Sequence, residues 1–192
     1  MEPTLTARPD RRPDRSRKAL LAAFVELVLD RGYADLTVDQ VVARANVGRS
    51  TLYTYFGGLE GLLSEALAGP SAGLAALIGS APDGEATTRW MRHFWDQRRR
   101  NRVFFAPPVK DIWVRRLAEL AEPRLAALIA EERRPNPILP LSFVATQIAQ
   151  AQTGLIVHWL QTPAGIPAQA AAQALAATTR GLVDALVPPR PA

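Results

Sequence analysis

Apolar residues recur along this chain at intervals of three and four, and nowhere in a sustained alternation of two. That spacing predicts helices throughout. The first carries Leu20, Leu21, Phe24, Val25, Leu27 and Val28, starts near Asp14 behind Pro13, and stops at Gly32. The second starts at Thr37, where Thr37 and Gln40 match a capping box, and carries Val38, Val41, Val42 and Ala45. Asn46-Val47-Gly48 breaks it, and a short third helix runs from Arg49 to Phe56 before Gly57-Gly58. The fourth begins near Leu59 and meets Pro70, flanked by Gly69 and Gly73, which predicts either a kink or a split. Further helices are expected over 85–100, 110–134 (with Pro123 as a possible kink), 141–161 and 167–186. The fold class is therefore all-α.

Two short helices joined by a tight turn, behind a longer supporting helix, describe a helix-turn-helix. Asn46 and Gly48 suit the turn because both tolerate unusual dihedrals, and Val47 is expected to plug the space between the helices. The third helix then offers Arg49, Ser50, Thr51, Tyr53, Thr54 and Tyr55. Arginine bonds guanine O6 and N7, and hydroxyls suit phosphates and base edges.

Composition narrows the classes. The chain has 192 residues, 48% of them hydrophobic, and no cysteine. That is enough to bury a core without cross-links, and it excludes disulfides, thiolate metal sites and cysteine nucleophiles. Met1 to Arg12 has no apolar stretch of the kind a signal peptide needs, so a cytoplasmic protein is expected. No glycine-rich phosphate loop, H-E-x-x-H or G-x-S-x-G occurs, and two histidines 65 positions apart make a poor metal set. Neither enzyme chemistry nor a cofactor is expected.

The charge is uneven. The net +5 includes +4 over residues 8–18, −2 over residues 19–63 and +7 over residues 89–116. The 45 residues from Pro135 to Thr179 carry no charge at all. Gln147, Gln150, Gln152 and His158 interrupt that stretch, so a membrane span is not expected. Buried or subunit-facing helices explain it better. Ala151 and Gly154 allow close helix approach, and with Leu155, Ala174, Ala177 and Leu182 they are the expected dimer face. The alternative is that these helices are the core of a monomer.

The N-terminal quarter resembles the TetR family of bacterial transcriptional regulators. The resemblance is carried by Ala19 through Phe24, Gly32-Tyr33, Leu36-Thr37-Val38, Val41-Val42-Ala43 and Ala45-Asn46-Val47. It continues through Thr51-Leu52-Tyr53-Thr54-Tyr55-Phe56 to Leu62-Leu63, and covers about residues 15–63. It implies a basic arm (1–13), a three-helix helix-turn-helix headpiece (14–58), a helical ligand-binding and dimerisation domain (59–187) and a short tail (188–192). It also implies a homodimer on a two-fold double-stranded DNA operator, released by a small apolar or aromatic effector. Thr37 would cap the second helix and touch phosphate. Arg49, Ser50 and Thr51 would face bases or backbone, and Tyr53 and Tyr55 would contact phosphate or pack the headpiece, with Thr54 beside them. Arg11, Arg12 and Arg15 of the arm would follow the DNA backbone or enter the minor groove. The chain departs from the family pattern at Asn46, Gly48 and Ser50, and at Leu59, where a phosphate-binding lysine is usual. Together with the net −2 of residues 19–63, Leu59 keeps a second reading open: a helical ligand-binding or interaction module whose headpiece no longer reads DNA.

The effector site is expected among aromatics. Trp90, Phe94, Trp95, Phe104, Phe105 and Trp113, with Phe143, His158 and Trp159, supply apolar walls and a few polar groups. The alternative for each aromatic is plain core, and for His93 and His158 a structural hydrogen bond. Arg98-Arg99-Arg100 and Arg102 form either a solvated helix end or a contact to an acidic ligand.

Overall fold

The computed structural model describes residues 12–79, 84–98, 106–162 and 165–190, with side chains from Asp14 onward. Every regular element among them is helical. The chain divides into two compact units, one ending at Ala66 and one beginning at Leu67. The first includes the helix from Leu59, which the resemblance would assign to the second domain. Leu62 and Leu63 are fully buried, which ties that helix to the headpiece.

The first unit holds α1 (Arg12–Arg31), α2 (Val38–Ala45), α3 (Arg49–Phe56) and α4 (Leu59–Ala66). Asp14 lies inside the first turn of α1 rather than at its cap, and pairs with Lys18 one turn on, at 3.0 Å. Leu20, Ala23, Phe24, Leu27 and Val28 form the buried stripe of α1. Val41 of α2, Leu52 of α3 and Leu62 and Leu63 of α4 complete this core, each without solvent exposure. Burying side chains of this size contributes roughly 1.5–3 kcal/mol each. Gly32 stops α1 at φ 87°, and its N–H donates to the Val28 carbonyl at 2.9 Å.

The second unit holds α5 (Ala68–Ala75), α6 (Gly84–Asp96), α7 (Val109–Glu132), α8 (Leu141–Gln161) and α9 (Ala168–Leu186). The expected fourth helix is split, and the break falls at Leu67. Pro70 has no N–H to offer the Ala66 carbonyl and its ring crowds that oxygen, so the first helix ends at Ala66. Pro70 then sits in the opening turn of α5. Pro123 does not interrupt α7, which carries Val109, Ile112, Trp113, Leu117, Ala121, Leu125 and Leu128 as one buried stripe. The core joins Ala121, Leu125 and Leu128 to Val144, Ala145 and Ile148 of α8 and to Ile78, Val183 and Val187.

Several polar groups inside this unit pair across helices. Trp113 Nε1 donates to Ser71 Oγ at 3.0 Å. The Gln152 amide donates to the Leu74 carbonyl and to Thr179 Oγ1, both at 3.0 Å, so it joins α8 to α5 and α9. Arg134, just past the left-handed Arg133 that ends α7, donates to Asp184 Oδ1 at 2.8 Å and to the Val187 carbonyl at 2.7 Å. No helix among the described residues is long and apolar enough to cross a membrane.

Candidate nucleic-acid interface

The helix-turn-helix is fixed by its caps. Thr37 Oγ1 accepts from the Gln40 N–H at 3.3 Å, and Gln40 Oε1 accepts from the Thr37 N–H at 2.9 Å. This reciprocal pair satisfies two amides that the helix leaves orphaned. Asn46 ends α2 in the left-handed conformation at φ 52°, ψ 49°. Gly48 differs from expectation: at φ −70°, ψ 150° it sits in ordinary extended backbone and uses none of glycine's freedom. The unusual dihedral of the turn is carried by Asn46 alone. Val47 is half-buried between the helices.

On α3, Leu52 points inward without exposure, and Arg49, Ser50, Tyr53, Thr54 and Tyr55 face solvent. Thr51 is half-buried. Tyr53 is 52% exposed and Tyr55 37%, so neither is consumed by the core, although Tyr55 also meets Phe56 edge-on at 6.4 Å. Thr54 Oγ1 donates to the Ser50 carbonyl at 2.8 Å, which leaves its lone pairs outward. Thr37 is exposed at the front of α2. Arg15 is exposed on α1, the Arg12 side chain is not among the described ones, and Arg11 lies outside the described residues.

Ion pairs organise the cations of this unit. Arg17 pairs with Glu65 and lies 5.7 Å from the Phe56 ring centroid. Arg44 pairs with Glu26, and Arg49 pairs with Asp39. Hydrogen bonding to those carboxylates raises the pKa of Arg44 and of Arg49 above the ordinary guanidinium value. Burial, and secondarily the charge of Glu60, raises that of Tyr33. Neither the Asp39–Arg49 pair nor the role of Gly61, described below, was legible in the sequence, because both depend on how helices cross.

The expected effector aromatics are only partly brought together. Trp90 and Phe94 pack at 4.4 Å between centroids, and Phe94 stacks on Trp113 at 6.4 Å. Trp95 stacks on Trp159 at 5.1 Å, with the Arg98 guanidinium 4.5 Å above Trp95. Trp113 is fully buried with its N–H satisfied, and buried Trp159 donates to the Ile166 carbonyl at 3.0 Å. Phe143 and His158 stand apart: both are exposed, Phe143 by 48%, because they project from the side of α8 opposite its buried stripe. His93 is exposed as well. Phe104, Phe105, Arg99, Arg100 and Arg102 lie outside the described residues. An apolar cleft of about 270 Å³ opens between α5 and α6, lined by Gly69, Gly73, Leu74, Leu77, Thr87 and Trp90 among others. A Cβ on Gly69 or Gly73 would meet nothing within 4 Å, so both glycines leave that wall open.

The family model described as "Bacterial regulatory proteins, tetR family" matches residues 20–66, most of the first unit. Uncharacterized HTH-type transcriptional regulators of Mycobacterium tuberculosis and Mycobacterium bovis are 41% identical over 56 residues, 29% of this chain and 26% of each relative. The chain thus aligns with about a quarter of the length of these curated relatives. A TetR transcriptional regulator from Streptococcus agalactiae has a similar fold over 88% of this chain and 96% of its own, with TM-score 0.54 and 21% identity. A putative TetR-family regulator from Syntrophomonas wolfei superposes with TM-score 0.58 at 19% identity, over 88% of this chain and 95% of its own. NalD of Pseudomonas aeruginosa, the secondary repressor of the MexAB-OprM multidrug efflux pump, gives TM-score 0.53 at 20% identity, over 88% and 96%.

Residues 20–66 are thus similar to the TetR family of bacterial regulatory proteins.

The uncharged segment from Pro135 to Thr179 splits between core and surface. Val144, Ile148 and Ile156 of α8 are buried within their own chain, and Leu182 of α9 packs against that same core. Ala151, Gly154 and Leu155 are half-buried, and Ala174 and Ala177 are exposed. A Cβ on Gly154 would meet nothing within 4 Å, so packing inside the protomer does not require glycine there.

Proposed function

We propose that this chain is a transcriptional regulator that binds double-stranded DNA as a homodimer and is released from its operator by a small apolar or aromatic effector. One observation carries the DNA reading. The family match over residues 20–66 coincides with a helix whose inner side is anchored by Leu52 and whose outer side offers Arg49, Ser50, Tyr53 and Thr54 to solvent. Such a helix fits a major groove, with Thr37 and the α2 amides toward phosphate. Arg15 and the residues before it would add backbone contacts.

The dimer reading rests on the exposed sides of α8 and of α9 as far as Thr179, which carry no charge. Phe143, Ala151, Gly154, Ala174 and Ala177 leave an apolar surface that a two-fold mate would cover. Two headpieces would then reach half-sites about 34 Å apart. The effector reading rests on the α5–α6 cleft, whose glycine wall and Trp90 suit a flat apolar molecule. Repression relieved by such a molecule is the mode typical of the family, and a protein of this kind works in the cytoplasm.

The test is binding of the purified full chain to a random duplex library. Enrichment of a two-fold sequence, with affinity that falls steeply with salt, supports the reading. Absence of any sequence preference favours the alternative, a module that binds ligand or partner without reading DNA, to which Leu59 and the net −2 of residues 19–63 point.

A further inference from the structure

Asp39 and Arg49 come from different helices and meet across the turn. Asp39 is the second residue of α2 and Arg49 the first of α3. Their ion pair joins Arg49 Nη2 to Asp39 Oδ1, and both side chains are 61% exposed. The carboxylate is well placed in its own helix, since the first turn carries the positive end of the helix dipole. The pair therefore lies on the surface that would meet DNA, and it holds the cation on which base reading would depend.

A guanidinium has five donors, and this contact engages one nitrogen of three. A phosphate that approaches Arg49 also meets the Asp39 carboxylate beside it, whose charge offsets part of the attraction. A guanine offers two acceptors, O6 and N7, to the donors that Asp39 leaves open. The carboxylate can stay in place and hold the guanidinium in one orientation, and its own charge repels a phosphate that approaches α2. The cost imposed by Asp39 thus falls on sequence-independent contacts and spares the base contact.

We propose that Asp39 is a specificity-determining positioning residue: by holding Arg49 across the turn it reserves this cation for a base edge and withholds it from phosphate. The proposal rests on the DNA-binding reading above.

The experiment uses full-length protein, the selected duplex and a random-sequence duplex at one salt concentration, with wild type, D39N, R49A and the double variant. D39N is expected to tighten random-duplex binding about three- to tenfold and to change selected-duplex binding less than twofold, so the ratio falls; one good base contact discriminates by about tenfold or more. In the R49A background D39N should leave the ratio unchanged, because the two residues act as one unit. Equal tightening on both duplexes, or a change of ratio that persists without Arg49, would mean that Asp39 acts only as a surface charge, and overturns the proposal. No preference by the wild type overturns the regulator reading itself, and this proposal with it. Preference by the wild type with an unchanged ratio in D39N overturns the role of Asp39 alone.

Discussion

The carbonyl oxygen of Phe56 lies 1.7 Å from where a Cβ on Gly61 would stand, and the Phe56 carbonyl carbon 2.7 Å away. The last turn of α3 and the first of α4 approach so closely that only glycine fits, and the obstacle is backbone. Gly57 and Gly58 make the reversal at φ 69° and 142°. Gly61→Ala is therefore expected to destabilise the first unit by about 1–3 kcal/mol, the usual range for overpacking. Thermal unfolding checks this, and an unchanged melting temperature would contradict it.

Gly73 is the opposite case, a helical glycine with open space around its missing Cβ. Gly73→Ala should stabilise the protein by roughly 0.5–1 kcal/mol, because alanine loses less backbone entropy in a helix. Gly73→Leu should keep the fold and fill the α5–α6 cleft. The variant is expected to bind DNA normally and to ignore any effector that releases the wild type. Release of both proteins by the same effector concentration would place the effector elsewhere.

Gly154 also has empty surroundings in its own protomer. Gly154→Arg should leave helicity and folding intact and shift sedimentation from dimer to monomer. Wild type that sediments as a monomer at micromolar concentration would contradict the interface directly.

Arg134 ties the end of α7 to the end of α9, and its side chain is only 9% exposed. Arg134→Ala removes bonds to Glu132, Asp184 and the Val187 carbonyl. The expected loss is about 1–3 kcal/mol, read by chemical denaturation, since hydrogen bonds to charged groups outweigh neutral ones. A loss below about 0.5 kcal/mol would reduce the link to an ordinary surface ion pair.

What local chemistry dictates was legible in the sequence. The Thr37–Gln40 box, the stop at Gly32 and the buried stripe of α1 follow from residue types at fixed spacing, and the structure has them. Pro70 announced the break, which falls after Ala66, the residue whose carbonyl its ring crowds four positions earlier. Pro123 faces solvent within α7, which runs through it without a break in the helix. The aromatics were harder. Composition drew Phe143 and His158 into one cluster with Trp113, while helix rotation puts them on the far side of α8. Asp39–Arg49 and Phe56–Gly61 were not legible at all, since each joins two helices whose crossing no local pattern states.

Base reading would rest on Arg49 more than on any other side chain of α3. The decisive measurement is the affinity of wild type and Arg49→Ala for the selected duplex and for a random duplex, each across a salt series. Arg49→Ala is expected to weaken selected-duplex binding by about tenfold or more and random-duplex binding far less, with little change in salt slope. Equal weakening on both duplexes, or a salt slope lower by about one, would make Arg49 a phosphate contact and contradict its place as the reader of the operator.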